Sequence, residues 1–586
     1  MHQHVQTNRL AQSRDQSPAF ACLTTSKTQP AMASSSNAPA SKRQKQQVAS
    51  ERTPIDVLTL GSGKRCSMAA KSAILKELKD MKYLPPDLAV SRSRIAAARS
   101  EVANRETPFG PLLIHKLFNT AEHGELECPV QNPLAMLYVA MSESPRFSHY
   151  VRCAMQAHGP PSLEAPWSIV IYVDEITCGN PLAVRSDARR KVQGVYWTLY
   201  QLGPQALADD MCWMEIVAFK TATTKDFVGC ISHMLDVCLS CFFNEQGHDL
   251  RRGALFRVQS HGPFMLFLCV EMLIADIPAL CESIGAMGTH GHVPCFYCRR
   301  ILGWRAFDNP KIAALHGFND LACIDQRQWG KHTNASLLQL LRDLQTTATT
   351  DPGALAKKQT LNGFKHMEGN FLLNPLTINS KPLQVLMVDW MHLMFQSGCW
   401  NREVYQILAT ATTRQVKAYE LLTTYVDAFT FPHNSKGAKS LLRPEHWASC
   451  RDAKPPVFKS TASDGLTLYL LFGKFFDDVL LRRLQAGTAL HDLLQLQVSS
   501  YHRLSEVIDL LQLSKFGHNV SPDLLDRRIH AWRLAHAAAY AKTLTYLKNH
   551  LVSHLPDCMR ARLENSNFAM LVACWALDPM CVCMHK

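Results

Sequence analysis

The chain has 586 residues, room for roughly two to four domains, and its 47% hydrophobic and 19% charged content is that of a folded protein, not a disordered one. A formal charge of +13 favours a polyanionic partner such as nucleic acid, although part of the excess lies near the N-terminus. The 20 cysteines are irregularly spaced with no secretory signal ahead of them, which argues against a disulfide scaffold and for reduced thiols in an intracellular protein.

Residues 1–66 are rich in Gln, Ser, Thr, Ala and Lys, and the composition predicts a disordered basic tail. Within it, Ser41-Lys42-Arg43-Gln44-Lys45 could serve nuclear import or DNA contact, with a solvated charge cluster as the plainer account. Gly61-Ser62-Gly63-Lys64-Arg65 lacks the glycine spacing and the Ser/Thr of a phosphate loop. Residues 67–160 read as a helical region, with Ser67–Met81 and Pro133–Met141 as amphipathic segments.

At Pro166 the texture becomes β-rich. WSIVIYVD (Trp167–Asp174) ends on an acid, and Val192–Leu202 and Met211–Lys220 come after it as two further strands. Asp226–Phe243 then carries Val228, Ile231, Leu235 and Leu239 at helical spacing. The stretch Met265–Arg300 is the one around which the chain is organised. Its apolar run is either a buried strand or a buried helix and stops at Asp276. His290, His292 and the pair Cys295-Phe296-Tyr297-Cys298 come next, so an oxygen donor for a hard cation and sulfur donors for a soft one are close in sequence. A sheet that sets the first and fourth strands side by side would unite Asp174 with Asp276, the ribonuclease-H-like arrangement by which two-metal nucleases hold their cations.

Residues 301–400 read as a connecting region, with loop over about 345–380 and a short apolar run, Leu383–Asp389, ending in Asp389-Trp390-Met391-His392. From Glu403 to about Leu555 helical patterns dominate, broken near Pro432, Pro455 and Pro522. The longest apolar stretches, Phe264–Leu280 and Leu466–Leu481, are short and charged, whereas a spanning helix needs about 20 apolar residues, so a soluble protein with no membrane partner is expected.

Four motifs in this order carry a family resemblance: Asp174-Glu175 through Gly179-Asn180-Pro181, Ala275-Asp276-Ile277-Pro278-Ala279, Gly288 through Pro294-Cys295-Phe296-Tyr297-Cys298, and Val388-Asp389-Trp390-Met391-His392. Over roughly residues 160–556 the chain resembles the transposases of CACTA-type (En/Spm-like) DNA transposons and genes derived from them. The resemblance implies an α/β ribonuclease-H-like core (161–300) interrupted by a large all-α insertion (401–557), with a remnant of the core at 558–586. It implies an acidic triad binding two Mg²⁺ or Mn²⁺ ions, with Asp174 and Asp276 as its first two members. DNA, in the form of transposon ends, is the implied partner, with self-association and a nuclear location. It also implies a structural Zn²⁺ site, Cys295 and Cys298 being completed by late histidines. His550 and His554 supply an i, i+4 pair that can chelate one ion from one helix face. His290 and His292 are the competing local ligands. Asp389 and His392 belong to a family motif whose chemistry cannot be read from the residues, and a structural role is expected of them. The third acid is not identifiable. Glu564 and Asp578 are the nearest acids, neither in matching surroundings, and the terminal His585-Lys586 could be a remnant of the family's basic stretch, so the expectation is either an active DNA-cleaving and strand-transferring enzyme or an inactive DNA-binding or scaffold relative.

Overall fold

The computed structural model describes residues 68–563, apart from 178–190, most of 304–318, 541–545 and isolated positions elsewhere. The 1–66 tail, the Gly179-Asn180-Pro181 motif, and Glu564, Asp578, His585 and Lys586 lie outside the described residues. The chain divides into two compact units, one ending at Ser100 and one beginning at Glu101. In the first, helix Met68–Asp80 matches the expected amphipathic segment, and Leu75, Leu88, Ile95 and Ala98 form a small core.

The second unit is built on a five-stranded mixed sheet. Its strands are β1 (Trp167–Thr177), β2 (Lys191–Leu199), β3 (Met214–Lys220), β4 (Leu268–Ala275) and β5 (Leu386–Val388), in the order β5-β4-β1-β2-β3. β2 runs antiparallel to both β1 and β3, while β4 pairs parallel to β1 and β5 parallel to β4. The central β1 is apolar through Ile169–Val173, all buried, because elements cover both faces of the parallel half and leave no side for polar alternation. Helix α1 (Cys230–Phe242) packs on one face, with Phe242 edge-on to Trp197 at 4.7 Å between centroids.

Three local expectations are corrected. The region 67–160 is not all helical, because Leu113–Thr120 and Gly124–Gln131 form a hairpin. Burial alternates with period two over His115–Thr120 and Glu127–Val130, and the turn is closed by Gly124 at φ +73°, a left-handed conformation that favours glycine. The stretch 345–380 is not a loop, since helices Asn334–Thr350 and Pro352–Asn362 fill its first half. Its threonines are tolerated because Thr347 and Thr350 return their hydroxyls to carbonyls four residues back, while Asp351 caps the second helix and Gly363 ends it. The apolar run from Met265 is two strands: Gly262–Leu266 pairs with Ala254–Val258, and β4 begins only at Leu268.

Beyond β5 the chain turns helical. α2 (Ile277–Ile284) has already followed β4, and α3 (Trp390–Phe395) follows β5 in the same way. A bundle of α4 (Cys399–Thr413), α5 (Ala462–Phe475), α6 (Ala489–Lys515) and α7 (Pro522–Tyr540) comes next, and α8 (Leu547–Val552) and α9 (Leu555–Leu563) bring the chain back towards β5. The bundle is pinned by fully buried Glu403, whose Oε1 accepts from Ser500 Oγ (3.1 Å), Trp532 Nε1 (2.7 Å) and His536 Nδ1 (3.0 Å). These bonds join three helices at one carboxylate and fix their registry. No described helix is long and apolar enough to cross a membrane.

Candidate functional site

Register sets three aspartates in a row. Val173 pairs with Ala275, and Ala275 with Val388, where the parallel pairing of these three strands ends. The next residues along the chain are Asp174, Asp276 and Asp389, so the three acids follow register-matched positions on neighbouring strands, whose backbones lie about 4.8 Å apart. The backbone N–H of Asp389 donates to Ala275 O (3.1 Å), extending the ladder to the acids themselves.

Two of these acids are held by the helices they begin. Asp276 Oδ1 accepts from the backbone N–H of Ala279 (2.8 Å), with Pro278 suited to the first turn. Asp389 Oδ1 accepts from Met391 N–H (2.8 Å), and its Oδ2 takes His392 Nδ1 at 2.7 Å. Burial raises the pKa of Asp174 to about 7; Asp276 and Asp389 push the same way, and His392 opposes them. Burial likewise raises Asp276, against the capping N–H of Ala279 and the charges of His392 and Lys548. For His392 burial works downward, but Asp389, with Asp174 and Asp276 beyond it, lifts the imidazole to about 9. Three carboxyls and one imidazole therefore share this edge, and burial holds two of the carboxyls above their ordinary range.

The second constellation is buried. The ligand atoms of Cys295, Cys298, His550 and His554 all lie within 4.8 Å of one another, and none of the four residues is more than 2% exposed. His554 Nε2 is 3.5 Å from Cys295 Sγ, 3.3 Å from Cys298 Sγ and 3.2 Å from His550 Nε2, and His550 Nε2 is 3.4 Å from Cys298 Sγ. Bonds of about 2.0–2.3 Å at tetrahedral angles separate donors by about 3.3–3.8 Å, so the group can hold a metal ion such as zinc. Burial brings His550 down to about 4, leaving a neutral ring with a lone pair to offer at neutral pH. Behind His554, Asp557 lies 3.6 Å from Nδ1 and takes Lys331 Nζ at 2.6 Å, an outer support of the kind that orients ligating imidazoles. His290 and His292 are not part of the group, and His290 is exposed. Of the competing ligand pairs, the structure brings in the late one.

The two constellations are tied together by residues that sequence reasoning did not single out. Tyr297, between the two cysteines, donates its hydroxyl to Leu386 O (3.0 Å) on β5, the strand that delivers Asp389. Lys548, two residues before His550, donates to His392 O (3.0 Å) and Gln396 O (2.6 Å) at the end of α3. Burial lowers Lys548 to about 8, with Asp276 and Asp389 among the charges opposing the fall. Lys548→Met would leave two carbonyls without their donor. The expected result is a loss of about 1–3 kcal/mol in chemical denaturation and weaker Mn²⁺ binding by electron paramagnetic resonance, with zinc content unchanged. A variant that binds Mn²⁺ as the parent does would sever the link.

Asp174 and Asp276 thus follow register-matched positions on neighbouring strands, and Asp389 follows the next strand, where it caps a helix and pairs with His392. The available signal was textual: three apolar runs, YVD, IAD and MVD, end on the same acid. Trp329 carried no signal; its ring lies 4.5 Å from His550 and 5.3 Å from His554 between centroids and walls the metal group. Comparison of the sequence with protein-family models and with curated proteins returns no match.

Proposed function

We propose that the chain is a DDE-type transposase-like protein that cleaves DNA and transfers strands at the Asp174–Asp276 edge of a ribonuclease-H-like core. The observation that carries this reading is the register that puts Asp174 beside Asp276 on adjacent parallel strands, with burial raising the pKa of both. The sheet order β5-β4-β1-β2-β3, with antiparallel β1–β3 and parallel β4 and β5, supports the ribonuclease-H-like assignment. The Cys₂His₂ group supports a structural Zn²⁺ that fastens the helical insertion to the core. Mg²⁺ or Mn²⁺, when bound, supplies activation of a water or 3′-hydroxyl and stabilisation of the leaving oxygen. Asp174 and Asp276 would be its ligands, Asp389 would orient His392, and the imidazolium would temper the carboxylates' repulsion. DNA as substrate carries with it a nuclear location and assembly on paired transposon ends.

A second reading, a catalytically inactive DNA-binding or scaffold protein, is favoured by the engagement of Asp389. It follows the next strand of the sheet, and it is committed to its cap and to His392. Nicking of supercoiled plasmid separates the two readings. Activity that requires Mg²⁺ or Mn²⁺ and vanishes in Asp276→Asn supports the enzyme. DNA binding without nicking, in protein that retains its zinc, supports the scaffold.

A further inference from the structure

A cavity of about 450 Å³ lies beside the metal group, between the loop carrying Cys298 and the helix pair Asn334–Thr350 and Pro352–Asn362. That volume is in the range of small-ligand sites, about 300–1,000 Å³. Its chemistry is divided between its walls. One wall is cationic, with Arg299 and Arg300 immediately after the second cysteine. The other mixes apolar Leu340 and Leu361 with the amides of Gln339 and Asn362 and the carboxylate of Asp343.

The arginines are mounted on rigid backbone. The N–H groups of Arg299 and Arg300 donate to Gly330 O (2.9 Å) and Trp329 O (3.0 Å), and Cys298 bridges to Lys331, so the pair is carried by the metal-binding loop. Gly330 adopts φ +57°, and a Cβ there would come within 2.8 Å of the Arg300 stem, so the glycine leaves the space that this side chain crosses. Arg299 Nε donates to Gly330 O at 3.4 Å, which directs its terminal nitrogens elsewhere. Neither arginine has a carboxylate within ion-pair distance among the described residues. The acid across the cavity, Asp343, is instead taken by Gln339 Nε2 at 2.7 Å. Two guanidinium groups without a carboxylate partner among the described residues fit the oxygens of a phosphate. A phosphate alone is much smaller than the cavity, and the opposite wall offers apolar surface for a planar ring together with hydrogen-bonding groups for its edge.

We propose that this cavity binds a nucleoside phosphate, with the phosphate between Arg299 and Arg300 and the base against Leu340 and Leu361. The site needs neither the aspartates nor a catalytic cation, so it stands or falls independently of the nuclease reading. Free nucleotide and one nucleotide of a single strand present the same chemistry, and the test separates them. The full-length, zinc-loaded protein would be titrated with dAMP, with a short fluorescent single-stranded DNA and with inorganic phosphate.

The expected result is binding of dAMP or of the oligonucleotide that weakens at least tenfold in Arg299→Ala/Arg300→Ala, with zinc content and melting temperature unchanged. Binding of dAMP by itself identifies a free nucleotide as the ligand, and binding of the oligonucleotide alone identifies a strand. Gly330→Ala, which displaces Arg300 without removing it, should weaken binding by a smaller factor. The proposal is overturned if neither ligand binds at millimolar concentration, if the double variant binds as the parent does, or if inorganic phosphate competes as well as dAMP.

Discussion

Cys298→Ser is expected to abolish a stoichiometric zinc ion and to destabilise the protein by on the order of 5 kcal/mol or more, among the largest effects of any single substitution. The four ligands gather from positions up to 259 residues apart and bury their donor atoms within 4.8 Å of one another. Without a cation, that arrangement is two desolvated thiols crowding two desolvated imidazoles, and His550 Nδ1 has no partner among the described residues. A bound ion would turn this crowding into four bonds. It also closes a long loop, joining the turn after α2 to the segment after the helical bundle. His554→Ala should behave like Cys298→Ser, whereas His292→Ala should keep its zinc, because His292 is outside the group. Metal analysis of the purified variants, followed by chemical denaturation, checks each expectation. A parent protein without zinc, or variants that all retain it, would remove the metal centre from the account.

The sheet was legible because its strands announce themselves by composition. WSIVIYVD and its two successors are long, rich in β-branched and aromatic residues, and bounded by polar turns, so their number and order can be read from pattern alone. That Asp174 and Asp276 meet can be read too, once the first and fourth strands are set side by side. The place of Asp389 beside them could not, because β5 is only three residues long. A strand that short has no periodicity, and its place in the sheet is decided by parallel pairing to β4, a contact more than a hundred residues distant in sequence. The threonine-rich helix ending at Thr350 was hidden for the opposite reason. Its residues score poorly as helix formers, and tertiary packing of Leu337, Leu341 and Leu344 overrides their preference. His550 and His554 were visible as an i, i+4 pair, but nothing in their local sequence distinguishes them from His290 and His292 as partners of the cysteines. Only the return of α8 to the core makes that choice.

Asp174→Asn should make the protein more stable above pH 7 when no divalent cation is present, and should abolish the stabilisation that Mn²⁺ gives the parent. Burial, together with neighbouring Asp276 and Asp389, raises the folded-state pKa of Asp174 from an ordinary 3.8 to about 7, with His392 opposing. A folded value above the unfolded one means that the native protein holds a proton which the unfolded chain releases. The group therefore costs nothing below about pH 4, grows destabilising as pH rises through the interval to 7, and imposes its full penalty above it. A rise of that size corresponds to about 4 kcal/mol. Asparagine has nearly the same shape and no charge to desolvate, so the parent and the variant should be equally stable near pH 4 and diverge towards pH 8. Mn²⁺ should close much of the gap above pH 7 by stabilising the parent and not the variant. A ligand at 100 times its dissociation constant adds about 2.7 kcal/mol to the state that binds it, and Asp276 without its neighbour is a poor hard-cation site. Urea titrations of both proteins between pH 4 and 8, with and without Mn²⁺, give the four curves required. Parallel pH profiles would show that Asp174 is an ordinary exposed acid. Equal stabilisation of both proteins by Mn²⁺ would place the cation somewhere other than this edge, and the reading of the site as a metal-dependent nuclease centre would go with it.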